Sequence, residues 1–167
     1  RDSIMGGSGS GCTDKTENVF IEAAYFNPIT TAYTGRELKI NSDARYRFER
    51  GIDPESAVFG IEAATKMIIE LCGGEPSEVV QAGEIPDHGR AYKVDTARIE
   101  SLVGMVIPPD DQLKILENLG FVITGDTAEV PSWRPDVQGE ADLVEEIARV
   151  VSLKKLQGIP LPRVSNS

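Results

Sequence analysis

Five acidic residues fall within eleven positions of PSWRPDVQGEADLVEE (131–146): Asp136, Glu140, Asp142, Glu145 and Glu146. Carboxylate oxygens are hard ligands, and several of them converging would suit Mg²⁺, which keeps waters or shares its ligands with a partner. Zn²⁺ is a poor match, because no Cys or His accompanies the acids. Helical spacing offers a plainer reading. Asp142, Glu145, Glu146 and Arg149 stand at i, i+3, i+4 and i+7, on one face. Leu143, Ile147 and Val151 lie on another, flanked by Val144 and Ala148. That pattern is an amphipathic helix with a wet acidic side and a Glu145–Arg149 pair worth about 0.2–0.5 kcal/mol. Spacing alone favours the wet side, since a metal site also needs Asp136 to fold back from the preceding loop.

Three further stretches carry reactive side chains. Glu22 interrupts the apolar run NVFIEAAYF (18–26), where a carboxylate must be exposed, paired, or kept in a pocket to read a hydroxyl or amine. SDARYRFERG (42–51) interleaves Arg45, Arg47 and Arg50 with Tyr46 and Phe48. Such a stretch can bind RNA by phosphate contact and stacking. It can equally form structural ion pairs, here with Asp43 or Glu49, and the ion-pair reading is slightly favoured. IMGGSGSG resembles a phosphate loop only superficially, lacking the following Lys-Ser/Thr and a preceding strand. His88, the only histidine, falls in polar linker sequence and reads as a surface residue.

These residues need elements to hold them. A chain of 167 residues has room for one ordinary domain or two small ones. Its first residue is Arg rather than Met, which points to a piece of a longer chain. The net charge of −10, from 27 acids against 17 bases, disfavours a broad nucleic-acid surface. Cys12 and Cys72 match no metal spacing and read as thiols of a cytoplasmic protein. No apolar run approaches the roughly 18 residues of a membrane span.

Residues 1–13 read as a Gly/Ser loop, and NVFIEAAYF as a mostly buried strand closed by Asn27-Pro28. Leu38–Ile40 and SEVVQAGE (77–84) read as further strands. Between them, Val58, Ile61, Ala64, Ile68 and Leu71 recur at helical spacing, with Asp53 and Pro54 to start the helix and Gly73-Gly74 to stop it. GEIPDHGR (83–90) is the expected domain boundary. Beyond it come a strand AYKVD, a helix DTARIESLVG capped by Asp95 or Thr96, and a helix PPDDQLKILENLG ending at Gly120. A hairpin FVITGDTAEVPSW turning at Gly125-Asp126 and the helix GEADLVEEIARVV complete the pattern. This order predicts a small α+β domain, winged-helix-like. A winged-helix module could be a nucleic-acid binder or a purely structural interaction domain. Its natural recognition helix, PDDQLKILENLG, carries one Lys against three acids, a poor groove reader.

Taken together, IMGG, NVFIEAAYFNP, SDARYRFERGIDPE and PSWRPDVQGEADLVEEIARV resemble the bacterial phenylalanyl-tRNA synthetase beta subunit, over nearly the whole chain. The resemblance implies an α+β fragment: residues 1–85 the later part of a mixed α/β editing domain, 86–90 a linker, 91–160 a winged-helix-like domain and 161–167 a tail. It implies an α₂β₂ ligase that charges tRNA(Phe) with phenylalanine using ATP in the alpha subunit, and an editing pocket that hydrolyses mischarged Tyr-tRNA(Phe). On this likeness Glu22 recognises the tyrosine hydroxyl, Ser42 and Ala44 line the pocket, and Ser3 stands where the family usually has Gly. A carboxylate that phenylalanine leaves unpaired can discriminate by up to about 10⁴–10⁵. Asp136, Asp142, Glu145 and Glu146 match magnesium-binding positions shared with the alpha subunit. Other pocket residues lie upstream, so the fragment alone is expected not to edit.

Overall fold

The computed structural model describes residues 6–156, 158 and 160. Ser3 therefore lies outside the described residues. The chain divides into two compact units, Arg1–His88 and Gly89–Ser167. Among the described residues the class is α+β, with six α-helices and one three-stranded antiparallel sheet.

The first unit holds three helices. In α1, Pro28–Glu37, the Asn27 carboxamide oxygen accepts from the Ile29 and Thr30 amides at 3.0 and 3.1 Å, and Pro28 fills the first turn. The Asn27-Pro28 pair thus opens a helix as well as ending the run before it. In α2, Asp43–Phe48, the Ser42 hydroxyl accepts from the Arg45 amide at 3.1 Å. The two helices are stitched by Arg45, whose guanidinium donates to the carbonyls of Gly35 (3.1 Å) and Ile40 (2.6 Å) and pairs with Glu49 at 2.9 Å. Gly35 is required at that crossing, because a Cβ there would collide with the guanidinium. Phe26 meets Phe48 edge to face, with centroids 5.0 Å apart.

The third helix, α3 (Ser56–Cys72), starts two residues later than expected. The Asp53 carboxylate accepts from the Glu55 amide at 3.0 Å, so it closes the turn ahead of the helix. Gly73, at φ +75°, ends it as predicted.

The expected strands at 18–26, 38–40 and 77–84 are not formed, and the described part of the first unit contains no strand. The mixed α/β reading of this half is corrected accordingly. A β-branched run becomes a strand only when another segment supplies ladder hydrogen bonds, and none is present among the described residues. At 38–40 the cause is local. Lys39 turns left-handed (φ +53°) and the chain closes on α1 through Ile40 N–H to Gly35 O.

In the second unit the local signals and the structure coincide. The elements are β1 (Ala91–Lys93), α4 (Arg98–Val103), α5 (Pro109–Asn118), β2 (Val122–Thr124), β3 (Thr127–Glu129) and α6 (Glu140–Val151). The sheet order is β1-β3-β2, with Tyr92 opposite Ala128 and Ile123 opposite Ala128 from the other side. Gly125 at φ +63° supplies the turn of the β2–β3 hairpin. The Asp95 carboxylate accepts from the Ala97 amide at 3.0 Å in the turn before α4, so the N-cap is Ala97 and neither Asp95 nor Thr96 caps the helix as expected.

Ile99 of α4, Leu116 of α5, Ala128 of β3, and Leu143, Val144 and Ile147 of α6 form the core with Phe121, Val130 and Val137. Buried Gln112 is satisfied, donating to the carbonyls of Thr96 (3.0 Å) and Ile107 (2.8 Å). The loop from Pro131 to Gly139 is the longest irregular connection here, and Arg90 holds it. Its guanidinium donates to the carbonyls of Arg134 (2.9 Å), Pro135 (3.2 Å) and Val137 (2.7 Å). That clamp sets where the residues before α6 sit.

Candidate functional site

The α6 helix turns a strong apolar stripe inward, so each acid is placed by its angle to Leu143 and Ile147. Steps of 100° put Glu146, three residues after Leu143, partly on the buried side. The single acidic face expected from spacing is therefore split: Glu145 is exposed, while Glu146 is buried. Burial of a carboxylate demands partners, and two guanidiniums supply them. Arg134 Nη2 donates to Glu146 Oε1 at 2.9 Å, and Arg149 donates to Oε2. The expected Glu145–Arg149 pair is replaced by Glu146–Arg149, one residue closer.

Asp136 does come back from the loop toward the helix, and it brings Arg134 with it. The Arg134 guanidinium grips Asp136 through Nε (2.9 Å) and Nη2 (2.6 Å), a forked pairing that suits arginine. Arg134 thus bridges Asp136 and Glu146. Asp142 serves the helix start, its Oδ2 accepting from the Gln138 amide at 2.7 Å. Glu140, outside the matched set, pairs with Arg98 at 3.3 Å. Among the described residues, Glu145 makes no ion pair, and no three acids, His or Cys gather into a group that could hold a metal ion.

The protonation equilibria follow the pairing. The Arg134 hydrogen bond holds the Asp136 carboxyl below the ordinary range, outweighing partial burial. Burial pushes Glu146 up, but the hydrogen bonds from Arg134 and Arg149 win and its net shift is downward. Arg134 itself is raised, chiefly by Asp136. The face is a charge-compensated network of carboxylates and arginines.

In the first unit the proposed pocket residues are dispersed in role. Glu22 is exposed in irregular chain, Ala44 is exposed on α2, and the Ser42 hydroxyl is committed to capping α2. The Arg–aromatic stretch resolves toward internal pairing. Arg45 binds Glu49 and two carbonyls, while Arg50 lies 3.6 Å over the Tyr46 ring and pairs with Glu49 at 3.3 Å. His88 is half-buried rather than a free surface residue, with Nε2 3.1 Å from Glu55 and Nδ1 3.0 Å from the Pro86 carbonyl. Cys12 and Cys72 are exposed free thiols. Sequence reasoning gave no role to Arg90 or Arg134. Arg134 had a signal, standing two residues before Asp136, whereas nothing around Arg90 marked it.

Comparison with known proteins adds the family. Residues 2–73 match the B3/4 domain family, and residues 92–152 match the tRNA synthetase B5 domain family. A phenylalanine–tRNA ligase beta subunit from Ruegeria pomeroyi is 61% identical over 163 residues, covering 98% of this chain and 20% of the relative. The chain belongs to the phenylalanine–tRNA ligase beta-subunit family. The beta subunit of Cereibacter sphaeroides is 65% identical over 160 residues (96% of this chain, 20% of the relative). That of Bradyrhizobium diazoefficiens is 46% identical over 164 residues, with 96% and 20% coverage. The chain thus spans about one fifth of the length of the beta subunits it matches. The acid-bearing loop and α6 fall inside the B5 match, and Glu22, Ser42 and Ala44 inside the B3/4 match. Among the described residues, no helix is long and apolar enough to cross a membrane.

Proposed function

We propose that this chain is the part of a phenylalanine–tRNA ligase beta subunit that joins the end of its editing domain, residues 1–85, to a winged-helix-like domain, 91–160. The linker is 86–90 and the tail 161–167. The parent enzyme is a cytoplasmic α₂β₂ ligase, which activates phenylalanine with ATP in its alpha subunit and charges tRNA(Phe). The beta subunit hydrolyses Tyr-tRNA(Phe), with Glu22 reading the tyrosine hydroxyl and Ser3, Ser42 and Ala44 lining the pocket. The observation that carries this reading is the occurrence of a B3/4 and a B5 domain in one chain, in that order, with whole-chain likeness to beta subunits.

Discrimination by Glu22 requires that its carboxylate be desolvated, because only then does an unpaired carboxylate reject phenylalanine strongly. Glu22 is exposed in this chain, so the pocket needs walls from the rest of the beta subunit. The chain alone should leave Tyr-tRNA(Phe) intact, whereas the full beta subunit with its alpha partner should deacylate it. Deacylation by this chain would contradict the assignment of the pocket.

The acid face is proposed to serve the alpha-subunit interface, with Asp136, Asp142, Glu145 and Glu146 as oxygen donors toward a shared Mg²⁺. Their chemistry suits that ion. Their arrangement in this chain does not, since Asp136 and Glu146 are held by arginine and Asp142 by a backbone amide. A duplex-binding role for α5 has little in its favour: Lys114 stands against Asp110, Asp111 and Glu117.

A further inference from the structure

We propose that the corner between α1 and α2 is a contact surface for single-stranded RNA, with Arg36, Lys39 and Arg47 meeting phosphates and Tyr46 stacking a base. The inference goes beyond the editing reading and stands whether or not Glu22 reads a tyrosine hydroxyl. The whole chain carries a net charge of −10, yet residues 28–51 hold five bases against three acids. Not all five bases are free. Arg45 is committed to the fold, bonding Glu49 and the carbonyls of Gly35 and Ile40. Arg50 shares Glu49, at 3.3 Å. Arg36, Lys39 and Arg47 are exposed, and among the described residues none of the three enters an ion pair.

Arg45 also fixes where the free cations stand. Arg36 follows Gly35 and Lys39 precedes Ile40, the two residues whose carbonyls Arg45 holds, while Arg47 lies two residues beyond Arg45 on α2. All three therefore branch from one corner, within about 12 Å of a single guanidinium. The opposing acids are largely occupied. Glu49 is taken by Arg45 and Arg50, and Asp43 sits in the first turn of α2, where the helix dipole accommodates it. Three uncommitted cations then stand against Glu37. Tyr46 supplies the other half of the recognition. Its ring is exposed, with the Arg50 guanidinium over one face at 3.6 Å from the centroid. Such a ring accepts any base that is free to stack. A duplex offers no unstacked base, and an acidic polypeptide would use the cations but leave the ring idle. In a chain of a tRNA ligase family, the strand that fits is RNA.

The test is fluorescence anisotropy of the whole chain with a fluorescein-labelled oligouridylate of about twelve nucleotides, over about 50 to 200 mM KCl. Three phosphate contacts to a single strand predict that the logarithm of the affinity falls with the logarithm of the salt concentration, at a slope of about −2. Arg36→Gln, Lys39→Gln and Arg47→Gln should each flatten that slope by about 0.7. Tyr46→Ala should weaken binding about tenfold and leave the slope unchanged, because stacking releases no counterions. Lys114→Gln, in the second unit, should alter neither. All five side chains are exposed, and circular dichroism checks that each variant is folded. Binding that none of the first four substitutions weakens, or that Lys114→Gln weakens equally, would overturn the proposal, as would no binding at the lowest salt. Competition by polyglutamate as effective as that by unlabelled RNA would mark an acidic-polypeptide surface and overturn the RNA assignment.

Discussion

Glu146→Gln removes one charge from the acid face and keeps the side-chain shape, so it isolates what the pairing with arginine contributes. The Glu146 side chain is 10% exposed, that of Arg134 18% and that of Arg149 52%. Charge-assisted hydrogen bonds contribute about 1.5–3 kcal/mol each. The Arg149 bond counts for little because its donor is half in water, and part of the Arg134 bond is offset by desolvation of the carboxylate. Glutamine also keeps one acceptor for a guanidinium. The expected net cost at neutral pH is about 2 kcal/mol, or about 8–16 °C in melting temperature for a unit of this size.

The pH dependence gives the sharper test. Glu146 and Asp136 are both held below their ordinary values, 4.5 and 3.8, by Arg134. A depressed folded-state pKa stabilises the fold above the ordinary pKa, and that stabilisation is lost as pH falls through the folded one. The wild type and Glu146→Gln should therefore differ fully above about pH 5.5 and converge as pH falls through the lowered folded-state pKa of Glu146. Urea unfolding followed by fluorescence of Trp133, the sole tryptophan and a neighbour of Arg134, reads both regimes. A difference below about 0.5 kcal/mol at pH 7, or one that does not change with pH, refutes the reasoning.

Three other substitutions probe the frame around the candidate residues. Gly35→Ala should destabilise the first unit by about 1 kcal/mol despite alanine's better helix propensity, because a Cβ drives Arg45 off the Gly35 and Ile40 carbonyls; a raised helical melt would contradict this. Gly120→Ala should cost about 1–3 kcal/mol, since φ is +92° and the added carbon would lie 2.7 Å from the Trp133 ring. Its signature is a shift in the tryptophan emission, and an unchanged spectrum with unchanged stability would count against the packing described. Arg90→Met should cost about 1–3 kcal/mol by stranding three loop carbonyls. Amide exchange within residues 131–138 should quicken, and unaltered exchange would show that the loop is held by something else.

What the sequence could disclose depended on how local each instruction was. Pro109, Gly120 and the Gly125-Asp126 pair act within a few residues, and the elements they start, stop or turn appear where the pattern placed them. NVFIEAAYF carries an equally strong strand signal, yet its ladder partner would have to come from distant chain, and no neighbouring residue encodes that. Asn27-Pro28 shows the opposite error, a helix start read as a strand stop because the TTAYT that follows has weak helical periodicity. On α6, spacing grouped Glu145 with Glu146. Which of the two turns inward depends on the packing of Leu143 and Ile147 against α4 and α5. The partner that makes burial of Glu146 tolerable lies twelve residues upstream, and helical periodicity does not reach that far.

Whether the acid face works at a metal-bearing boundary with the catalytic subunit, as proposed, is read in the assembled enzyme. The full-length beta subunit would be co-expressed with its alpha subunit, as wild type and as Asp142→Asn/Glu145→Gln, and the purified complex assayed for bound magnesium and for charging of tRNA(Phe). The variant complex should lose bound magnesium and charge tRNA(Phe) poorly, while the melting temperature of the isolated chain barely changes. A variant complex that assembles, retains its magnesium and charges at the wild-type rate would contradict it.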